Sequence, residues 1–430
     1  MKMATEATIL EARQRARFEK KQTAVSAKYL RKLEELPGMP EQLRPFLEVV
    51  RNVYVEQLSI KRDERPRVGT YCMMVPQELV YAAGAVPVKL CSGNYTAFFI
   101  GDDIVPRDAC PLVKAVMGFC KTGMLPLYND CELMVMPVTC DCKKKMAGML
   151  QEKKATYTMH IPATRELDED FEQCVQELYA LIDALERATG QKVTYQRLWE
   201  SMQLIGCAQY EFSRFLQFKN EERALIRGTH VMAMMNALSY MPVDEWSAQL
   251  QKLNVELSER KMNGQYVTRA NRPRIMITGS PVVFPNIKVP LLIEEMGGSL
   301  VADETCMGER FMYDPAVVVD RSFDGLLRSL ANRYVRACTC PTFSDNTQRV
   351  DRIRQMIDIH CVQGVVYHVL RGCLVYDFEY LKLEKVCGKL GIPIIRIESD
   401  YNEEDIEQLR IRIEAFIELI KLRDLHEGNR

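Results

Sequence analysis

Along residues 4–60, apolar positions recur at three- and four-residue spacing among charged ones, a pattern that predicts helix. Pro37, Gly38 and Pro40 break that stretch into two helices, and a basic link, KRDERPR at 61–67, follows. From residue 66 the period changes. Short β-type runs appear in VGTYCMMV, AVPVKLCS, LMVMPVTC and TYTMHIP, with helical segments such as PQELVYAAG and PLVKAVMGFCKTG between them. Residues 164–268 return to long charged helices, with Thr194 as a candidate cap. From residue 273 the alternation resumes with RPRIMITGSPV, SLVADETC, GVVYHVLRGC and IPIIRIESD as strands, and a final helix closes the chain. Strands alternating with helices predict parallel βαβ units. The expected fold is therefore α/β, with two doubly wound units forming a weak internal duplication. The divisions are an N-terminal helical segment (1–65), a first α/β unit (66–163), a helical middle element (164–270) read as an insertion or lid, and a second α/β unit (271–430). A ligand cleft is expected between the two α/β units.

Composition narrows the class. The 430 residues suffice for two or three domains, and 47% hydrophobic with 27% charged residues is a soluble globular composition. A net charge of −1 gives no global basic excess for nucleic acid. The N-terminus, MKMATEATILEARQRARFEKKQ, has no apolar leader segment, and no apolar run reaches the roughly 18 residues of a membrane span. The expectation is a cytoplasmic protein that binds neither nucleic acid nor membrane.

The 15 cysteines change the picture most. In a reducing cytosol they are not expected to form disulfides. Cys174, Cys207, Cys361 and Cys387 lie at helical spacing among apolar residues and are expected in the core. The others fall elsewhere. Cys72, Cys140, Cys306 and Cys373 end β-type runs, Cys110 precedes Pro111 at a helix start, and Cys338 and Cys340 stand in VRACTCP. In α/β sheets, ligands bind at the carboxyl ends of strands. There is no CxxC knuckle and there are only five histidines, so a structural zinc site is disfavoured. His230 and His368 are the histidines to weigh for a Cys/His dyad, and His368, inside a strand, is expected in the core or behind the site. Thiolates from distant parts of a chain suit an iron–sulfur cluster. Helix-start N–H groups and lysines would temper its negative charge. In PVTCDCKKKM, Cys140 is then a ligand, and Lys143, Lys144 and Lys145 either face the anionic site or a partner, or form a solvated turn.

The motifs GTYCMMVPQELVYAAGAVPVKLCS (69–92), DACPLVKAVMGF (108–119), TCDCKKKM (139–146), RIMITGSPV (274–282), ETCMGER (304–310), CTCPTFSDNTQR (338–349), GVVYHVLRGC (364–373) and IPIIRIESDYNEEDIEQLRIRIEAF (392–416) come in the order of a known family. The chain resembles the 2-hydroxyacyl-CoA dehydratase D-component and benzoyl-CoA reductase superfamily, and within it most resembles the double-cubane cluster proteins. The resemblance implies two Rossmann-like domains and oxygen-sensitive, anaerobic iron–sulfur chemistry. It also implies an [8Fe-9S] double cubane held by Cys72, Cys110, Cys140, Cys306, Cys340 and Cys373, three from each half, with each half holding a cubane. Cys340 is preferred to Cys338 because Pro341 follows it, as Pro111 follows Cys110. Cys91 and Cys142 are reserves. A homodimer is implied, charged with low-potential electrons by a separate ATP-hydrolysing [4Fe-4S] reductase, and reducing a small-molecule substrate. Lys143, Lys144 and Lys145 are candidates for docking that partner. Tyr71, Asp141, Glu304 and Glu309 lie near the ligands in sequence as candidate proton donors, although turn and ion-pair roles serve them equally. The alternative is a dehydratase subunit, a lyase, with one [4Fe-4S] cluster on three cysteines. A non-catalytic electron carrier is a third reading.

Overall fold

A computed structural model describes residues 6–58, 64–123 and 125–427. Residues 1–5 of the charged N-terminus and 61–63 of the basic link lie outside the described residues. All eight expected strands form: β1 (Arg67–Thr70), β2 (Val86–Lys89), β3 (Cys131–Val138), β4 (Thr156–His160), β5 (Arg274–Gly279), β6 (Ser299–Glu304), β7 (Gly364–Leu370) and β8 (Ile394–Ser399). They make two four-stranded parallel sheets, ordered β2-β1-β3-β4 and β6-β5-β7-β8. The same order recurs in each, so the duplication sensed in the sequence is a duplication of topology. The central strand β7 is buried along its whole length, as a strand covered on both faces must be.

The helices follow their sequence signals. Thr194 caps Tyr195–Leu216, its side chain accepting from the Arg197 N–H at 3.3 Å. Pro111 opens Pro111–Thr122, and a positive-φ Gly123 ends it. One helix begins where a turn was the competing expectation: Asp141–Gln151 starts directly after Cys140 and carries all three lysines of CDCKKKM.

The middle element is a packed insertion. Tyr195–Leu216 lies against Gln77–Ala82 and Val243–Met262; Gly228–Ala237 lies against Arg44–Tyr54, β6 and Lys288–Glu295; Asp168–Thr189 lies against β3, β4 and Phe323–Ala331. These helices join the two sheets. Trp246, fully buried, is at their centre, donating its indole N–H to the Met234 carbonyl at 3.1 Å and packing on Phe46 and Phe212. Cys174 and Cys387 are in the core as expected, but Cys207 and Cys361 are exposed. Cys207 lies off the buried stripe of its helix, formed by Leu198, Ile205, Ala208, Phe212 and Phe215. Cys361 stands after a helix end, in the left-handed region at φ 46.

Two outcomes follow from this packing. Trp246→Ala should cost about 3–5 kcal/mol of global stability in denaturant unfolding, against about 1 kcal/mol for Thr194→Ala; a purely local loss of protection around residues 164–270 would contradict the bridging role. Peptide mapping after brief alkylation of the native protein should find Cys207 and Cys361 modified and Cys174 and Cys387 intact.

Candidate functional site

The strand ends explain the cysteines. Cys72 follows β1 by two residues, Cys91 follows β2, Cys140 follows β3 and Cys306 follows β6 by the same interval, and Cys373 follows β7 by three. In each sheet the strand order reverses next to the first strand, at β1/β3 and β5/β7, where doubly wound sheets open a crevice. The carboxyl ends of both sheets meet at one cavity of about 160 Å³, lined by Cys72, Cys91, Cys110, Cys140, Cys142, Cys306, Cys340 and Cys373. The structure thus brings together all six cysteines expected from the sequence and both reserves. No residue of 164–270 lines the cavity.

Cys110, Cys140 and Cys373 are N-cap residues of the helices Pro111–Thr122, Asp141–Gln151 and Leu374–Lys389. The N–H groups of Leu112 and Val113 favour the thiolate at Cys110, that of Lys143 does so at Cys140, and that of Tyr376 at Cys373. Cys110 and Cys373, from opposite halves of the chain, lie side by side. The Cys110 thiol donates toward Cys373 and brings its pKa down to about 7, while Cys110 itself is raised. Cys72 acts on Cys306 and Cys340 of the other half, and Cys91 and Cys338 belong to the same surroundings. Burial pushes Cys91 up to about 12.

Two lysines face these thiols. Burial would lower Lys143, but Cys72, Cys91, Cys140 and Cys306 outweigh it and raise its pKa above the ordinary lysine value. Lys89, which the sequence reading missed, is buried, and its pKa falls to about 8 by desolvation, opposed by Cys306, Cys91 and Cys72. Its ammonium lies over the Phe311 ring, 3.0 Å from the centroid. Lys144 and Lys145 are exposed and line none of the cavity.

The loop with Cys340 is fixed to the first unit and to the start of the middle element. Thr342 Oγ donates to the Thr139 carbonyl at 2.6 Å, and the buried Arg165 donates to the carbonyls of Val335, Cys338 and Asp345. Cys338 instead lines a smaller cavity whose wall has only Met73 in common with the thiol cavity. Gly372 lets the loop of Cys373 approach that of Cys110: at φ 75 its position admits no Cβ, which would fall 2.4 Å from the Asp108 carbonyl oxygen.

The proton-donor candidates fare differently. Glu304 is fully buried; burial alone would raise its pKa, but Arg310 at 2.7 Å and Arg349 at 2.9 Å hold it below the usual carboxylate value. Its role is structural, because a carboxylate so held keeps no proton to give. Glu309, also buried, is paired with Lys219 and accepts from the Tyr313 hydroxyl at 2.8 Å. Asp141 is exposed, whereas Tyr71 lines the cavity. Both histidines are outside it. His230 Nε2 bonds the Leu33 carbonyl at 2.9 Å, and His368 Nε2 bonds Ser399 Oγ at 2.8 Å. His368 stands behind the site as expected, because Ser280, whose carbonyl it contacts at 3.3 Å, also favours the Cys373 thiolate through its hydroxyl.

Among the described residues, no three His, Cys, Asp or Glu side chains converge as ligands of a single ion would. The thiols are spread around the cavity wall.

The family model for the 2-hydroxyglutaryl-CoA dehydratase D-component matches residues 72–420. YjiM of Escherichia coli (strain K12), whose name provisionally places it among dehydratase subunits, is 30% identical over 388 residues, covering 90% of this chain and 99% of that protein. The beta subunit of (R)-2-hydroxyglutaryl-CoA dehydratase from Acidaminococcus fermentans is 22% identical over 372 residues, 83% of this chain and 93% of its own. One of the subunits of benzoyl-CoA reductase from Thauera aromatica is 21% identical over 353 residues, 81% of this chain and 89% of its own. The matched span runs from the first thiol of the cavity into the last helix, and the chain belongs to the 2-hydroxyglutaryl-CoA dehydratase D-component family of dehydratase and reductase subunits.

Proposed function

We propose that this protein is a low-potential iron–sulfur reductase that holds an [8Fe-9S] double cubane in the inter-sheet cavity through Cys72, Cys110, Cys140, Cys306, Cys340 and Cys373. The observation that carries the proposal is the wall of the cavity: eight thiols and two lysines, with the thiols drawn from both halves. The donor set fits such a group. It is all sulfur, it surrounds a volume and does not converge on a point, and three of its members sit at helix N-termini. Cys340 is supported over Cys338 because it alone of the two lines the cavity. The neighbourhoods of Cys110 with Cys373, and of Cys72 with Cys306 and Cys340, favour cubanes that each draw on both halves of the chain.

When bound, the group supplies low-potential electrons to a small molecule in the cleft. The chain's own residues do the rest. Lys89 and Lys143 balance sulfur charge, and the helix starts orient N–H dipoles at it. Leu112, Val113, Met307, Leu370 and Val375 keep their part of the wall apolar. The electrons come from an ATP-hydrolysing [4Fe-4S] reductase, and the protein acts as a cytoplasmic homodimer. The second reading, a [4Fe-4S] dehydratase subunit, is favoured by the names of the beta-subunit relatives. It requires only three ligand thiols.

Iron and acid-labile sulfide in anaerobically purified protein separate the readings: about eight irons per chain support the double cubane, about four the dehydratase subunit, and none after reconstitution ends both. Cys140→Ala or Cys373→Ala should lose most of the iron, whereas Cys174→Ala should keep it. Lys143→Gln should make the bound group harder to reduce, shifting its potential downward by about 60 mV or more, a tenfold change for one electron; an unchanged potential would remove Lys143 from the site's electrostatics.

A further inference from the structure

Met73 forms part of the wall of the thiol cavity. Met73 also lines a chamber of about 30 Å³. That chamber shares Asp314, Arg333, Ala337, Thr339 and Arg352 with an outer cavity of about 380 Å³. The outer wall includes the exposed residues Asn332, Gln348, Asp351 and Gln355, so this end faces solvent. A local irregularity shapes the chamber. The helix Phe323–Ala331 runs on into a π-type turn, Asn332–Arg336, and this wide turn supplies Arg333 and Tyr334 to the chamber wall, with Ala337 next in the chain.

Size and charge decide what fits. Three guanidinium groups line the chamber, but each has an acidic partner: Arg310 has Glu304 at 2.7 Å, Arg333 has Glu78 at 2.5 Å, and Arg352 has Asp314. Arg349, which shares Glu304, also has Glu379 at 3.9 Å, so positive and negative groups balance and the chamber offers no net attraction to an anion. Its volume is about the share of one water molecule in the liquid. One polar atom of a wall residue is unanswered: Arg310 Nε is buried and has no hydrogen-bond partner among the described residues. A buried donor left so is costly, and a water molecule is the smallest group that would supply the acceptor. Arg310 also reaches inward, its Nη1 donating to the hydroxyl of Tyr376, a residue of the thiol cavity wall, at 3.2 Å; having no acceptor atom, it holds its neighbours in place and passes no proton itself.

We propose that the three connected cavities form a hydrated side passage, with a water held on Arg310 Nε, that admits water and protons to the thiol cavity and excludes larger molecules. Met73, unbranched and flexible, stands at its inner junction, and Ala337 at its outer one. The passage itself rests only on these cavities. Its role rests on the reductase reading: every electron placed on a neutral substrate that leaves as a neutral product must be matched by a proton, the electron coming from the iron–sulfur partner and the proton from bulk solvent by way of this water, which regains a proton from outside.

The test is a structure of the anaerobically prepared protein that shows ordered water, with hydrogen exchange of the 337–340 peptide in wild type and in Ala337→Phe. The expected result is a water within hydrogen-bonding distance of Arg310 Nε. In the variant that water is lost and the peptide exchanges about tenfold more slowly, with iron content unchanged. Met73→Phe, at the other end, is expected to leave the water in place and slow turnover alone. A dry chamber in wild type, or exchange that ignores a phenylalanine seen to fill the junction, overturns the passage. Unaltered turnover and solvent isotope effect in both plugged variants overturn its proton role. Water and exchange are read without turnover, so loss of the reductase reading, seen as absence of iron, is distinguishable from loss of the passage.

Discussion

A thiolate taken out of water loses hydration worth several kcal/mol unless opposite charge or aligned N–H groups replace it. This cavity asks that of up to eight sulfurs at once, and much of the surrounding architecture can be understood as the reply. Parallel strands bring every carboxyl end to one side, so helices start there and present N–H groups to the sulfurs of Cys110, Cys140 and Cys373. Lys89 reaches the cavity from the end of β2 and Lys143 from the first turn of a helix. Each side offsets part of the other's burial: the thiols raise Lys143, and the two lysines lower Cys91 and Cys306, although burial still holds both thiols above the ordinary cysteine value.

The second unit needs its own support because the ends of β5 and β6 must hold Cys306 and the Cys340 loop in register. Glu304 provides it. Its carboxylate is met by Arg310 and Arg349 and accepts from Thr278 of β5 at 2.6 Å and from Thr339 of the loop at 3.3 Å. Arg349 also donates to the Thr339 carbonyl at 3.1 Å. Removing one member would leave an unpaired buried charge, an expense of roughly 3–5 kcal/mol. A network of this kind fixes geometry more than it adds stability, which suits a loop that has to hold a sulfur in place.

Much of this was legible in the sequence. The continuous apolar runs of β3 and β7 announced buried parallel strands, and thiols two or three residues beyond such runs had to fall at the sheet's carboxyl edge. Other features left no local trace. The helix at Asp141 opens with DCKKK, whose first turn carries no apolar periodicity, so a turn competed with it. Lys89 sits in VPVKL, where one polar residue in a strand reads as an outward-facing position; only the second unit, packed over it, makes the position buried. Glu304 looked like an acid because its arginines, six and 45 residues on, reach it through tertiary contacts alone. Cys207 looked like core because helical spacing is forgiving by one position.

The cavity belongs to neither half. Its wall takes Cys72 from the first strand and Cys373 from the end of the seventh, about 300 residues later, a span of chain that a ribosome takes some tens of seconds to produce. Until β7 has formed and the two sheets have met, Lys143 and the early cysteines have no enclosed place to face. Whatever the cavity holds must therefore be delivered late in biosynthesis, to an almost finished chain, and the cell has to keep the waiting thiols reduced until then.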